Sequence, residues 1–280
     1  MTYASAVARR LSMFALPAVL LMLSGCATVP PPEAETPAPV GKIDVSSLTN
    51  AMAQRDRALE SLQTNAVMEY SNGTDHVKAR EDLIVRRPGS LRVEAMSPFG
   101  VALIVAAQDS RLQIFEPSKN TLMRGTADAA TLARFARIPM APRDAVGLLM
   151  GIVPEAQTTS PPDSVTTEGD MTVLAYEEPD HARRELGFRS GQLVMVRKRT
   201  PSGAVNFEIR YADYHDIGGV MFAYKVDADF PVAETRVSFV YKRPIVNGKI
   251  ADSVFTLTPG PNAKQVDIGM TPDRRIPRDG

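Results

Sequence analysis

The sequence is poor in the residue types that build metal sites, disulfides and thiol chemistry. Its 280 residues include one cysteine, three histidines and no tryptophan. A single cysteine excludes a disulfide within the chain and any site built from paired thiolates. Basic and acidic residues balance at 32 each, which argues against a nucleic acid partner. The chain must therefore fold by burying apolar side chains, which make up 44% of it.

Long apolar runs are scarce as well, and the longest lies near the start of the chain. It extends from Leu11 to Leu23 and is interrupted by Pro17. This is shorter than the roughly 20 residues that a membrane-spanning helix needs. Arg9 and Arg10 precede it, and a basic start followed by a short apolar run is typical of a secretory signal peptide. We therefore expect residues 1–25 to be a cleaved signal rather than a membrane span.

The apolar run ends in Leu23, Ser24, Gly25 and Cys26, the only cysteine of the chain. An ordinary signal peptidase site needs small residues but no cysteine. The arrangement resembles the lipobox of bacterial lipoprotein precursors, in which the cysteine is acylated and becomes the first residue of the mature protein. We expect cleavage after Gly25 and lipidation of Cys26. The alternative is a chance cysteine within an ordinary secretory signal.

Residues 26–43 are rich in proline and are predicted to form an extended tether. Proline favours the solvated polyproline II conformation, which rises about 3.1 Å per residue. Residues 44–268 are then expected to form one domain, and residues 269–280 a basic tail. The prolines of the tether are Pro30, Pro31, Pro32, Pro37 and Pro39.

The first half of the expected domain begins with a helix and continues with strands. Apolar residues at helical spacing predict a helix from Asp44 to Leu62. Beyond it, apolar and polar residues alternate as they do in half-buried strands, and we expect about six strands. Their clearest segments are His76–Arg87, Val101–Ala107 and the alternating positions Leu91, Val93, Ala95, Leu112, Ile114, Leu122 and Met123.

A helical period returns over residues 127–153 and separates two groups of strands. Pro139 and Pro142 divide this segment, so we expect two short helices with a kink between them. A loop rich in threonine, serine and proline is predicted over Thr158–Thr167. About seven strands follow: Met171–Glu177, Arg184–Arg189, Gln192–Thr200, Ala204–Asp213, Gly219–Val226, Thr235–Tyr241 and Ser253–Leu257.

This order of elements predicts a mainly β (α+β) domain built on one continuous antiparallel sheet of about 11–13 strands. A sheet of this size has to curl. Helices placed on one face of it would cover the concave side.

Three segments of this pattern are similar to segments of a known family. Residues 86–94, followed by Ser97-Pro98-Phe99-Gly100, resemble a strand–turn–strand unit whose second turn reads Pro-apolar-Gly. Residues 138–142 leading to 148–154 resemble a helical lid, and residues 253–259 resemble a closing strand. The chain thus resembles the LolA/LolB superfamily of bacterial lipoprotein carriers, most closely its LolB type. The resemblance implies a half-open antiparallel β-barrel, with an N-terminal helix and a helical lid over an apolar cavity.

The resemblance also implies a function. The protein would be anchored in the outer membrane on its periplasmic face, accept acylated lipoproteins from a soluble periplasmic LolA-like carrier, and insert them into outer-membrane lipid. In such lipoproteins an aspartate after the cysteine indicates retention in the inner membrane. This chain has Ala27 at that position, which favours the outer membrane. No cofactor, metal or nucleotide and no enzymatic step is expected, and we expect a monomer.

Apolar residues of the lid and the strands are candidates for the walls of an acyl-chain cavity. A filled core would use the same residues, because periodicity does not distinguish a lined cavity from a packed interior. A filled interior would favour a structural or assembly lipoprotein that uses the same fold to dock proteins. The candidates are Leu103, Val105, Leu112, Ile114, Leu132, Phe135, Ile138, Val146, Leu149, Met150, Val194, Val196, Phe207 and Ile209.

Pro98, Phe99 and Gly100 form a predicted tight turn. The resemblance implies that an apolar residue at this turn inserts into the membrane during delivery. The alternative is a phenylalanine that folds back under the strands.

Two polar clusters are more simply explained by strand structure than by chemistry. Tyr211–Asp216 contains a histidine between aspartates, but no zinc-binding or nucleophile motif accompanies it, so we interpret it as a strand end. The basic residues at 183–184 and 197–199 indicate either a solvated strand edge or a patch that meets lipid headgroups.

Overall fold

A computed structural model of the chain describes residues 44–153 and 160–268. The predicted signal peptide, Cys26, the tether and the basic tail lie outside these residues. The described part is a mainly β domain with three α-helices and a single 14-stranded sheet. The helices are α1 (Val45–Ala58), α2 (Ala129–Ala136) and α3 (Pro142–Leu149).

The strands follow one another in chain order with the two lid helices between β6 and β7. They are β1 (Ser61–Ser71), β2 (His76–Arg86), β3 (Ser90–Ser97), β4 (Gly100–Gln108), β5 (Arg111–Glu116), β6 (Thr121–Thr126), β7 (Ser164–Glu168), β8 (Met171–Glu177), β9 (Arg183–Arg189), β10 (Gln192–Arg199), β11 (Val205–Ile217), β12 (Val220–Phe230), β13 (Thr235–Val246) and β14 (Lys264–Asp267).

The sheet is antiparallel except at one edge and is open. Its order is β14-β6-β5-β4-β3-β2-β1-β13-β12-β11-β10-β9-β8-β7. Hairpins build each half, and the pairing of β1 with β13 joins the halves. β14 pairs in parallel with β6, and β7 forms the other edge. The expected mainly β fold with an open, curled sheet is confirmed, with 14 strands instead of 11–13.

The predicted first helix is too long. Asp44 caps α1 by accepting a hydrogen bond from the Ser47 N–H at 3.1 Å, but the helix ends at Ala58. Leu62 belongs to β1, which pairs with β2 on one side and β13 on the other. Leu59 and Leu62 are both fully buried, so their apolar spacing reflects burial rather than a continuing helix.

The predicted strand Ser253–Leu257 is also wrong. Residues 252–255 form a 3-10 helix, in which the Val254 N–H bonds to the Ala251 carbonyl at 3.1 Å. Phe255 and Leu257 are buried, which gives the segment the alternation of a strand. Its backbone instead bonds to side chains, since Arg92 Nη1 donates to the Val254 carbonyl at 2.8 Å.

Two short strands escaped the sequence analysis. β7 lies where a loop was expected, and β14 follows the predicted closing strand. Both are largely exposed, so neither carries the buried alternation by which a strand is recognised.

The predicted pair of short helices within residues 127–153 is confirmed. Asp128 and Thr131 form a capping box at the start of α2, with the Thr131 N–H donating to Asp128 Oδ1 at 2.8 Å. Arg137 ends α2 with a φ of 60°, and Pro142 begins α3. We call residues 127–153 the lid, because its apolar face packs in the same core as the strands.

Candidate functional site

The lid faces the sheet with apolar side chains that repeat at helical spacing. On α2, Leu132 is fully buried and Phe135 packs at the margin of the core. On α3, Val146 and Leu149 are buried against the strands. The lid therefore completes the hydrophobic core rather than covering an empty space.

A narrow apolar cavity remains between the lid and strands β11, β12 and β13. Its volume is about 20 Å³, which is about the space that one water molecule needs. An acyl chain fits there only if lid side chains move away. We call this cavity and the surface around it the groove; its walls are Ile138, Met140, Ala145, Leu148, Leu149, Ile209, Val226, Ala228, Phe230, Val237 and Phe239.

Most of the predicted cavity residues share one core cluster, but few of them line the groove. Three do so: Ile138, Leu149 and Ile209. Seven others are buried elsewhere in the cluster, and three pack at its margin. The buried seven are Val105, Leu112, Ile114, Leu132, Val146, Met150 and Val196, and the marginal three are Leu103, Phe135 and Phe207.

Val194 does not belong to this interior. It packs with Met171, Val173 and Met195 in a separate cluster. The pairing of β10 with β9 shifts by one residue between Leu193 and Met195. A bulge of this kind reverses the side-chain alternation that follows it, so strict alternation assigns Val194 to the wrong face.

The groove also uses residues that the sequence analysis missed. Val226, Ala228 and Phe230 alternate along β12, and Val237 and Phe239 alternate along β13. The predicted β12 stopped at Val226, whereas the strand continues to Phe230. Extending the alternation through Ala228 would have found this wall.

The end of α3 is held to the sheet by hydrogen bonds. The Tyr211 hydroxyl donates to the Leu148 carbonyl at 2.9 Å, and the Tyr241 hydroxyl donates to the Leu149 carbonyl at 2.8 Å. Arg55 Nη2 of α1 lies 3.4 Å from the Met150 carbonyl. The last carbonyls of a helix lack partners within the helix, and here buried donors from the sheet and α1 satisfy them.

Asp56 extends this network to the end of the lid. Its Oδ2 accepts a hydrogen bond from the Val153 N–H at 3.2 Å. Burial raises the pKa of Asp56 to about 6, although Arg55, the Val153 N–H and Arg87 act in the opposite direction. The lid is thus fixed at its C-terminal end by polar contacts and at its faces by apolar packing.

Glu81 is a second buried carboxylate on the concave face. Its side chain lies on the same face of β2 as those of Leu83 and Val85. Its neighbours on the adjacent strands are Ala66 on β1 and Ala95 on β3. Its carboxyl group makes no hydrogen bond or ion pair with the described residues. Burial raises the pKa of Glu81 to about 7.

Phe99 stands at the tip of the β3–β4 hairpin with 99% of its surface exposed. Ser97 Oγ donates to the Gly100 carbonyl at 2.9 Å and accepts from the Phe99 N–H at 3.2 Å. Gly100 has a φ of 112°, a conformation that favours glycine. The ring therefore projects into solvent and does not fold back under the strands.

The cluster from Tyr211 to Asp216 lies within β11, which continues to Ile217. His215 Nε2 lies 2.8 Å from Asp213 Oδ1, and both side chains are exposed. Asp216 Oδ1 accepts from the Gly219 N–H at 2.8 Å in the next turn. Within residues 44–153 and 160–268, no three histidine, cysteine, aspartate or glutamate side chains group as metal ligands would.

The basic residues of β9 and β10 divide between the two faces of the sheet. Arg197 bonds to Glu185 at 2.8 Å and to Glu208 at 2.6 Å. Burial lowers the pKa of Arg197, but its glutamate partners raise it by more, so the net shift is upward. Arg184 and Lys198 have the opposite parity and face the lid side. The basic residues at 183–184 and 197–199 therefore form neither a single solvated strand edge nor a single patch that meets lipid headgroups.

The longest helix among the described residues, α1, has 14 residues, and none of the helices there has the length and hydropathy of a bilayer span.

No protein-family model and no curated protein matches the chain in sequence. Among solved structures, it is similar to a LolA superfamily protein from Nitrosomonas europaea, with a TM-score of 0.52 and 13% identity over 75% of this chain and 97% of that one. It is similar to a structure described as an outer membrane lipoprotein-sorting protein domain from Vibrio parahaemolyticus, with a TM-score of 0.53 and 7% identity over 75% of this chain and 95% of that one.

A DUF1329 family protein from Desulfovibrio piger is similar too, with a TM-score of 0.51 and 12% identity over 75% of this chain and 95% of that one. At such identities the likeness concerns the fold. The open curled sheet with helices is thus one found in the LolA superfamily, while the narrower resemblance to LolB stays a prediction.

Proposed function

We propose that the protein is a lipid-anchored, non-enzymatic binding protein that holds acyl chains of lipids or lipoproteins in the groove beneath its lid. The observation that carries this proposal is the groove itself, whose walls are entirely apolar side chains from the lid and from β11, β12 and β13. Similarity of fold to LolA superfamily and lipoprotein-sorting structures supports the same proposal.

The filled groove is compatible with binding if the ligand replaces the lid. Exposing an acyl chain to water costs about 0.8 kcal/mol per CH₂ group, so a carrier must offer an apolar surface of similar quality. In the unloaded protein, Leu148, Leu149 and Met140 occupy that surface. The ligand would take over these contacts as the lid moves, so the apolar strand walls of the groove stay covered in either state.

Two further predicted features, the acylated N-terminus and the β3–β4 hairpin, complete the proposal. Acylation at Cys26 would hold the protein at the outer membrane, and the tether would give the domain reach. Phe99 would enter the lipid interface as acylated lipoproteins, received from a LolA-like periplasmic carrier, pass into the membrane.

Binding of a fluorescent fatty acid tests the proposal. Ala228 lines the groove on β12, and the substitution Ala228→Phe would fill it; we expect the affinity to fall about tenfold or more, since a blocked groove removes several CH₂ contacts. Ala212→Phe adds the same volume at an exposed position of β11 and is the matched control. Absence of binding in the parent protein would contradict the proposal.

The filled interior also favours a second candidate, a lipoprotein that docks other proteins without carrying lipid. A cavity of about 20 Å³ is what such a scaffold would retain. The two candidates differ in the same experiment, because a scaffold binds no fatty acid in the parent or in either variant.

A further inference from the structure

A larger cleft lies beside the groove, between the lid, the turn after β2 and strands β9 to β12. Its volume is about 490 Å³. Met140, Leu148 and Phe230 line both the cleft and the groove. These three side chains therefore stand between the two spaces, and a single ligand could occupy both once they move.

The cleft carries an excess of positive charge. Arg87, Arg143, Arg184 and Lys198 line it, and Asp144 is the carboxylate among its walls. A concave surface with several cations around one space attracts and retains anions. The groove next to it presents apolar walls, so the two spaces differ sharply in the chemistry that they accept.

Two cationic side chains of the cleft, Arg184 and Lys198, are held in place by ion pairs and still have N–H groups available to donate hydrogen bonds to a ligand. Glu178 accepts from Arg184 Nε and from Lys198 Nζ, each at 2.6 Å, and holds both side chains at the cleft. Asp180 Oδ2 also lies 3.8 Å from Lys198 Nζ but is largely exposed, and the guanidinium and ammonium groups retain further N–H donors. Arg143 is exposed on the first turn of α3 and has no ion pair with the described residues.

We propose that this cleft is the headgroup site for an anionic, phosphate-bearing lipid whose acyl chain lies in the groove. This inference rests on the proposed acyl-chain binding and adds the class of ligand. The cations of the cleft would bind the phosphate, and the apolar walls beyond Met140, Leu148 and Phe230 would bind the chain. A free phosphate ion would satisfy the cleft alone and leave the groove unused.

Calorimetric titration with short-chain lipids below their micellar concentration separates binding of the headgroup in the cleft from binding of the acyl chain in the groove. The probes are dioctanoyl phosphatidylglycerol, dioctanoyl phosphatidylcholine, uncharged dioctanoylglycerol and inorganic phosphate. We expect the anionic lipid to bind about tenfold more tightly than the zwitterionic one, because the two share the phosphate but the choline cation of the second is repelled by the cations of the cleft. The preference should shrink as salt is added, because exposed charges are screened.

The substitution Arg143→Gln is expected to reduce the preference for the anionic lipid several-fold and to leave dioctanoylglycerol binding unchanged. Arg134→Gln removes an exposed arginine of α2 that does not line the cleft, and should change neither value. Equal affinity for the anionic and zwitterionic lipids would overturn the headgroup site while acyl-chain binding stands. Phosphate binding as tightly as phosphatidylglycerol would also overturn it, and failure of every lipid to bind would refute the proposed function itself.

Discussion

Glu81 places a carboxyl group in the concave face of the sheet without a partner among the described residues. Removing an ionised carboxylate from water is unfavourable, so the folded protein holds the group in its neutral form up to a higher pH. Its pKa rises from 4.5 to about 7 for this reason. The contribution of Glu81 to the free energy of unfolding is therefore most favourable below the pKa that the group has in the unfolded chain, about 4.5. It becomes less favourable as the pH increases from about 4.5 to about 7.

The substitution Glu81→Gln removes this dependence. We expect it to stabilise the protein at pH 8 by on the order of 3 kcal/mol and to have little effect at pH 4, where the glutamic acid is neutral in both states. Urea unfolding at the two pH values measures the difference. Glu69→Gln on β1 is the control, since Lys78 lowers the pKa of the exposed Glu69 and reverses the expected sign. An equal effect of Glu81→Gln at both pH values would contradict the explanation.

At the scale of elements, the lid is held along its length by apolar packing, and its end is held by hydrogen bonds as well. Its body packs through aliphatic side chains, whereas its end is fixed by the hydroxyls of Tyr211 and Tyr241. A neutral hydrogen bond contributes only about 0.5–1.5 kcal/mol, but a buried carbonyl left unpaired costs more. Opening is therefore expected to begin at α2 and to pivot on the end of α3.

The β3–β4 hairpin carries the exposed Phe99 away from the lid. Gly89, in the turn just before β3, lies against Arg143 of α3, so the tip is at the opposite end of the strand. We expect Phe99→Glu to leave the unfolding free energy unchanged, because the ring makes no buried contacts, and to reduce partition onto liposomes several-fold by removing an apolar anchor. Vesicle sedimentation measures this partition.

Val232→Glu is the matched control for Phe99→Glu. Val232 is 75% exposed in the turn between β12 and β13 and belongs to no predicted membrane contact. Equal loss of partition in the two variants would show that the hairpin tip has no special role.

At the scale of the whole molecule, one sheet with two open edges unites both halves of the chain. β1 and β13 are each paired on both sides and bury alternate residues. β7 and β14 lie at the two edges and are mostly exposed. An edge strand has unpaired backbone groups on one side and little buried surface to protect it.

The rates of amide hydrogen exchange should increase from the central strands of the sheet to its edges. We expect the amides of β7 and β14 to exchange fastest among the strands, and those of β1 and β13 to exchange only on global unfolding. Exchange of α3 as slow as that of β1 would mean that the lid does not open without unfolding, and would argue against acyl-chain entry. Mass spectrometry of peptides from each strand gives the comparison.

Local patterns in the sequence predicted most of the helices and strands. They did not predict where an element ends when tertiary contacts determine its boundary. Asp128 and Thr131 specify the start of α2 by themselves, because a capping box is a local structure. Leu62 and Phe255 are different. Each is buried, and the sequence shows the burial without showing whether a helix, a strand or a 3-10 turn delivers it.

By itself, the sequence determined the mainly β fold, the position of the lid and the hairpin that carries Phe99, since periodicity and turn residues act over short distances. Only the tertiary structure decided that the interior is filled and that the cationic cleft adjoins the groove, because these depend on which strands meet across the curled sheet. The bulge beside Val194 illustrates the difference: one extra residue changes the face of a side chain, and no local pattern in the sequence marks it.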